Sequence, residues 1–247
     1  MQQYRPSGFG LLPPVVKNLL IINGLFFLAT ISLSKVLHID LTEYLGLHFP
    51  GSQHFGVWQL VSYMFMHAGF EHILFNMFAL WMFGNVLENV WGPKRFLNYY
   101  LITGIGAGLM QWLVAYIRMQ PLLPLLTADE IHMVYTQGAD VIKQGMNYRD
   151  EAMGSLNGLV NSSTIGASGA VFGILLAFGM MFPNSLIYLY FAIPVKAKYF
   201  VMGYGAFELY LGFSNSPTDN VAHFAHLGGM IFGFFLIMYW KKKGKLF

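Results

Sequence analysis

No cysteine occurs anywhere in the 247 residues, so disulfides and thiolate metal sites are excluded and thiol content says nothing of a redox compartment. Charge is scarce as well. Lys, Arg, Asp and Glu make up 10% of the chain, against about 25% in an average soluble domain, while 56% of it is hydrophobic. That balance belongs to a membrane protein. The net charge of +3 requires no nucleic acid, because an attraction of the basic "KKKGK" stretch for anionic lipid accounts for it. Low-complexity tracts and internal repeats are also missing.

Other absences narrow the chemistry. There is no HExxH motif, and the "HFAH" pair His223 and His226 is spaced i, i+3 with Asp219 as its one neighbouring carboxylate, which argues against a metal site. No two aspartates fall inside apolar runs, so a paired-aspartate protease is a poor reading. Paired charges or half-helices at a bilayer midplane, as in many transporters, are missing too. No cofactor is expected. Nor does the start of the chain read as a cleavable leader. Its first apolar stretch follows Lys17, is long and lacks a small-x-small site, so it is expected to stay as an anchor.

What is present is a set of six apolar windows, near 18–36, 72–92, 97–117, 161–182, 197–213 and 220–240. Each holds ~20 residues, enough to cross the hydrocarbon core as a helix. The expected fold class is therefore all-α, a polytopic membrane protein of six transmembrane helices in one domain over 1–247. An even number of spans puts both termini on one side. Arg5, Lys17, Lys94, Arg95, Lys196, Lys198, Lys241, Lys242, Lys243 and Lys245 fall on that side, ten of the fourteen basic residues, leaving Lys35, Arg118, Lys143 and Arg149 opposite. The positive-inside bias makes that side cytoplasmic. Two external segments result, about 37–71 and 118–160. The second is long for a loop, so a short amphipathic helix is expected near 129–145.

Spans 2, 4 and 6 run from outside to inside, and the conspicuous polar residues sit in their first turns. Ser168, in "TIGASGAVFG", is six or seven residues into span 4, and His226, in "AHLGGMIFG", is six or seven into span 6. At ~1.5 Å per residue both are expected ~10 Å below the outer surface. His72 and Asn76 open span 2 four residues apart, on one helix face. Polar groups in hydrocarbon are costly unless partnered, which makes them functional candidates. The types also fit one chemistry. A serine nucleophile needs a base, which neutral histidine supplies. A developing oxyanion needs donors, here the Asn76 amide, a His72 N–H and the backbone N–H of Ser168.

The glycines admit two readings. Gly166 and Gly169 would let a backbone approach Ser168 closely, with Gly166 permitting a non-helical lead-in. Gly229 and Gly233 form a small-xxx-small face that would pack spans 4 and 6 backbone to backbone and bring His226 to Ser168. Taken alone, "GASG" more often means helix packing, and His72 with Asn76 could be an interhelical hydrogen-bond pair. Packing gives no reason for a nucleophile, a base and donors to share one depth, so their joint placement favours catalysis. His223 reads as a satisfied interfacial residue. Glu88 reads as an anchor of the cytoplasmic loop in preference to a group that orders span 2. Asp219 with Asn220 reads as the N-cap of span 6 in preference to a third catalytic member. Glu208, near the outer end of span 5, is left between a snorkelling group and part of a gate.

These residues resemble the rhomboid intramembrane serine proteases over nearly the whole chain. The resemblance rests on "GASG" with Ser168 as nucleophile, "AHLGGMIFG" with His226 as base, and "EHILFN" with His72 and Asn76 as oxyanion donors. It implies that Phe172 packs under the histidine, that Glu88 is the glutamate of the family's G-x-x-x-E pattern, and that His67 is a structural histidine of the first external loop. The family's Trp-Arg pair appears here as Trp58 and Gln59, which removes an ion pair from that loop. The resemblance implies a Ser-His dyad without an essential aspartate, held by helix packing in place of a third residue. It implies an enzyme of the cell (inner) membrane with cytoplasmic termini and an active site opening to the outside. Its partners would be the lipid bilayer and membrane proteins cleaved at or near a transmembrane helix, reached sideways from lipid. The alternative is an inactive relative that binds membrane clients.

Overall fold

The structure, a computed structural model, describes residues 12–189, 192–214 and 222–244. Helix α1 (Pro14–Leu37) begins on a proline, whose fixed φ suits a first turn and whose missing N–H is no loss there. The short helices α2 (Leu41–Leu45) and α3 (Gln59–Ser62) follow. Next, α4 (Phe70–Ala79) runs through a π-helical stretch over Leu80–Gly84 into α5 (Asn85–Trp91). Gly92, at φ 79°, turns the chain in a conformation that side chains disfavour, and α6 (Pro93–Met119) starts at once. A capping box of Thr127 and Glu130 starts α7 (Ala128–Lys143), and the Asp150 carboxylate caps α8 (Glu151–Asn161). Helix α9 (Ser168–Met181) leads to an antiparallel hairpin, β1 (Leu186–Leu189) and β2 (Ile193–Lys196), with Ile187 opposite Val195. Helices α10 (Ala197–Ser214) and α11 (His223–Lys242) complete the described chain.

The protein is mostly helical, and four described segments are long and apolar enough to cross a membrane: Pro14–Leu37, Phe70–Trp91, Pro93–Leu125 and His223–Lys242. The fourth and fifth windows differ from expectation. Helix α9 has 14 residues, ~21 Å of rise against a hydrocarbon core of ~30 Å. Helix α10 carries Lys198, Glu208 and three tyrosines and falls outside the apolar set. The hairpin is a small departure from an all-α fold. Residues 162–167 are not helical. Thr164 instead exchanges backbone hydrogen bonds with Leu47 at 2.8 and 2.9 Å, and the Gly166 N–H donates to the Tyr63 carbonyl at 2.9 Å. Ser168 is therefore the first residue of its helix, where six or seven preceding helical residues were expected. His226 is likewise in the first turn of α11. Asp219 and Asn220 lie outside the described residues, and the N-cap position of α11 belongs to Ala222.

Helices α6, α9 and α11 form the centre. A Cβ at Gly229 would fall on the backbone carbonyl of Gly169, so α9 and α11 cross there with nothing between them. Gly233 does not continue that seam. A Cβ there would meet the Tyr99 hydroxyl of α6, and Tyr99 donates to the Gly173 carbonyl at 2.8 Å. The expected pairing of both glycines with span 4 thus holds only for Gly229. One turn on, the helices have diverged and a tyrosine fills the gap. Glu88 is engaged with α1. Its carboxylate accepts from the Val15 and Val16 N–H groups at 2.9 and 2.7 Å, fastening the start of α1 to the end of α5. It meets two of the orphan donors that every helix start leaves.

The two long segments between helices dock on each other. Helices α7 and α8 share an apolar cluster around Val134, Leu156 and Val160. Asn161 ties them, donating to Asn157 and to the Val134 carbonyl, both at 2.9 Å. The first segment joins through Ser52, which donates to Asn161 at 2.9 Å, and Gln53, which donates to the Thr136 carbonyl at 2.7 Å. Lys143 and Glu43 pair at 2.8 Å. Gln59, at the place of the resembled arginine, is fully buried. Its amide donates to the His54 and Tyr44 carbonyls at 2.6 and 3.3 Å and accepts from the His48 N–H at 3.1 Å, while Trp58 donates to the Tyr44 carbonyl at 2.9 Å. A neutral amide thus satisfies three backbone groups in this loop without a charge to desolvate.

Candidate active site

A sharp turn of the backbone positions Ser168. Gly166 sits at φ 130°, a region that side chains rarely adopt, and turns the extended 162–167 segment into α9. Space is tight as well as strained there. A Cβ on Gly166 would lie 2.8 Å from Nε2 of His72 and 3.5 Å from the Ser168 hydroxyl. Glycine therefore brings His72 and Ser168 to one point. As the first residue of α9, Ser168 has a backbone N–H without an intrahelical acceptor, at the positive end of the helix.

From α11, His226 comes to the serine: its Nε2 lies 2.8 Å from the Ser168 hydroxyl. Beneath it lies Phe172, one turn along α9 from Ser168. The two rings stack at 4.2 Å between centroids with 6° between planes. Stacking fixes the imidazole plane, and the Gly169–Gly229 contact fixes the helices that carry both groups. His226 is buried and Ser168 half-buried.

On α4, His72 and Asn76 share a face. Nδ1 of His72 accepts from the Ala68 N–H at 3.4 Å, so the neutral ring carries its proton on Nε2, the atom that faces Gly166. That places a donor beside Ser168. Asn76 is buried, and one of its amide hydrogens is spent on the His72 carbonyl at 2.8 Å, leaving one for the site. His67 backs this helix start with its ring 5.0 Å from that of His72. Burial, with a smaller contribution from His72, pulls its pKa down to about 4, and both of its ring nitrogens are buried without a partner.

Sequence reasoning left one participant undecided. Glu208 of α10 does not snorkel to the surface. It is 4% exposed, and one oxygen, Oε2, lies 2.8 Å from Nδ1 of His226 and 2.6 Å from Nδ1 of His223. The expectation that helix packing alone holds His226, and that no carboxylate but Asp219 is near the two histidines, is corrected by this contact. The signal was available. A lone carboxylate in an apolar helix needs a buried partner, and the only histidines at that depth in neighbouring windows belong to spans 2 and 6. Glu208, His223 and His226 could offer three ligand atoms to a cation. Their separations of 2.6 and 2.8 Å are those of hydrogen bonds, shorter than the ~3.3 Å between ligands of a tetrahedral zinc.

Comparison with known proteins agrees with this architecture. The family model of the rhomboid domain matches residues 54–243. The putative rhomboid protease YdcA of Bacillus subtilis is 28% identical over 181 residues, 72% of this chain and 65% of that protein. RHOMBOID-like protein 12, mitochondrial, of Arabidopsis thaliana is 30% identical over 173 residues, 69% of this chain and 42% of that protein. The rhomboid protease GluP of Bacillus subtilis is 42% identical over a short stretch of 48 residues, 19% of this chain and 10% of that protein. The matched stretch thus spans less than two thirds of each of these relatives. With a family match covering most of its length, the chain belongs to the rhomboid family.

Proposed function

We propose that this protein is an intramembrane serine endopeptidase that cleaves membrane proteins at or beside a transmembrane helix. The observation that carries the reading is the 2.8 Å approach of His226 Nε2 to the Ser168 hydroxyl, with Phe172 stacked on the same ring. Ser168 Oγ attacks the scissile carbonyl carbon, forming a C–O bond, as its proton passes to Nε2 of His226. The carbonyl oxygen takes up the negative charge and is met by the Ser168 N–H, by Nε2–H of His72 and by the remaining Asn76 amide hydrogen. Collapse breaks the C–N bond, and Nε2 returns the proton to the leaving amine. Water, deprotonated by the same nitrogen, then attacks the acyl carbon, and as the C–O bond breaks Nε2 returns the proton to Ser168 Oγ.

Helical backbone is already hydrogen-bonded and resists attack, so the substrate's cleaved stretch is one that unwinds, rich in small or helix-breaking residues. Six crossings, with α9 and α10 as the fourth and fifth, put both termini in the cytoplasm and Ser168 in the outer half of the membrane, reached sideways from lipid. Names of relatives such as YdcA and GluP include the word protease, which supports the reading. The test is incubation of the purified protein with a transmembrane reporter. Wild type cleaves it, and Ser168→Ala and His226→Ala do not while keeping the wild-type melting temperature. Appreciable cleavage by Ser168→Ala, or fluorophosphonate labelling at another residue, rejects the assignment.

A further inference from the structure

A serine activated by a histidine needs that histidine in one tautomer. Nε2 accepts the hydroxyl proton only if the ring's own proton is on Nδ1, and a ring with the reverse arrangement presents a donor where an acceptor is required. Stacking on Phe172 sets the plane of His226, yet it leaves both tautomers equal. What distinguishes them is the group at Nδ1. Here that group is the Glu208 carboxylate, at 2.8 Å and 4% exposed. An ionised carboxylate only accepts, so it draws the proton to Nδ1 and bares Nε2.

We propose that Glu208 is a positioning residue for the reaction, fixing His226 with its proton on Nδ1 and completing a Ser168–His226–Glu208 triad whose acceptor oxygen His223 also holds in place. The inference rests on the reading of His226 as the base. Its geometry comes from three elements. Gly212, one turn beyond Glu208, lets α10 close on α11, since a Cβ there would lie 3.0 Å from the Phe224 ring and 3.4 Å from the His223 Cβ. Arg118 of α6 donates to the Gly212 carbonyl at 2.9 Å and pins the same turn from the other side. His223, at 2.6 Å, restrains the carboxylate so that Oε2 stays directed at His226. During attack the serine proton goes to Nε2, the ring becomes an imidazolium, and the adjacent negative carboxylate stabilises it without taking a proton. In a low-dielectric interior that stabilisation is larger than it would be in water.

Nitrogen-15 NMR of histidine-labelled wild-type protein in detergent, with His226 assigned by its loss in His226→Ala, tests this directly. The expected spectrum has the neutral ring protonated at Nδ1, and Glu208→Gln moves proton density to Nε2. In the cleavage assay Glu208→Gln is expected to lower kcat by about 10²- to 10⁴-fold with KM changed less than about threefold, and Glu208→Asp to regain at least about tenfold of it. A wild-type ring protonated at Nε2 overturns the proposal whatever the cleavage assay shows. So does a Glu208→Gln enzyme with wild-type kcat beside an inactive Ser168→Ala, a result that leaves the proteolytic reading standing. Failure of the wild type to cleave any reporter removes that reading instead, while the tautomer is still decided by the spectrum.

Discussion

A single methyl group on Gly229 is expected to separate the two helices that carry the serine and the histidine. In Gly229→Ala the new Cβ lands on the Gly169 carbonyl group, 2.7 Å from its carbon and closer still to its oxygen. The obstacle is backbone, so no side chain can swing aside. Restoring an ordinary carbon–carbon contact of ~3.7 Å requires a displacement of ~1 Å or more between α9 and α11. Ser168 adjoins Gly169, and His226 lies three residues before Gly229, so the displacement falls on their 2.8 Å hydrogen bond and stretches it past bonding range. A misplacement of that size costs about 10²-fold in rate, and overpacking costs ~1–3 kcal/mol in stability. Gly24→Ala, where an added Cβ meets nothing within 4 Å, is the matched control and should match wild type in activity. The assays are thermal unfolding in detergent and cleavage of a transmembrane reporter. Wild-type turnover by Gly229→Ala would show that the crossing is looser than the contact implies.

On the proposed mechanism Asn76→Ala removes one oxyanion donor and leaves nucleophile and base intact, so turnover should fall by ~10²-fold while fluorophosphonate labelling of Ser168 slows but persists, unlike in His226→Ala. Glu88→Gln weakens two charge-assisted bonds to the Val15 and Val16 amides. An unfolding midpoint lowered by the equivalent of ~1.5–3 kcal/mol is expected, and an unchanged midpoint would show that α1 needs no fastening. His67 is held neutral by burial, with its pKa at about 4, whereas the unfolded ring binds its proton near 6.5. The unfolded state thus holds more protons between these values, and stability should fall as pH drops from about 6.5 towards 4. His67→Phe should flatten that slope in thermal melts across the range, and an unaltered slope would assign it to other groups.

Helix positions were the legible part of this fold, because long apolar runs state their own location. The residues around Ser168 were legible for a different reason: polar groups in apolar windows are few, and each needs a partner. Where α9 begins was not legible. Residues 162–167 carry no charge to break the apolar pattern, and what holds them straight is the pairing of Thr164 with Leu47 and of Gly166 with Tyr63, each more than a hundred residues away in sequence. Spacing likewise put Gly229 and Gly233 on one face, but which neighbour each meets depends on a crossing angle that spacing does not contain. Glu208 was visible as an oddity and silent about its partners, since a carboxylate's contacts are set by tertiary packing. Gln59 shows the reverse case. Losing an arginine removes an ion pair from that loop, yet the buried amide meets three backbone groups that a guanidinium, having no acceptor, could satisfy only in part.

The clasp between Glu88 and the start of α1 bears on the order in which the chain is built into the membrane. Val16 and Glu88 are separated by 72 residues, so the first helix leaves the ribosome and settles in lipid while the group that will secure it has still to be synthesised. Its exposed face touches little else, with Leu25 and Leu28 about 60% exposed. During that interval α1 is a free anchor, able to tilt and slide, and the rest of the bundle assembles with one wall unfastened. Completion of the second long helix ends this period, converting a tether into part of the body. A nascent chain in which Glu88 is still enclosed by the ribosome and one in which it has emerged into the membrane would therefore differ in how firmly the same first helix is held.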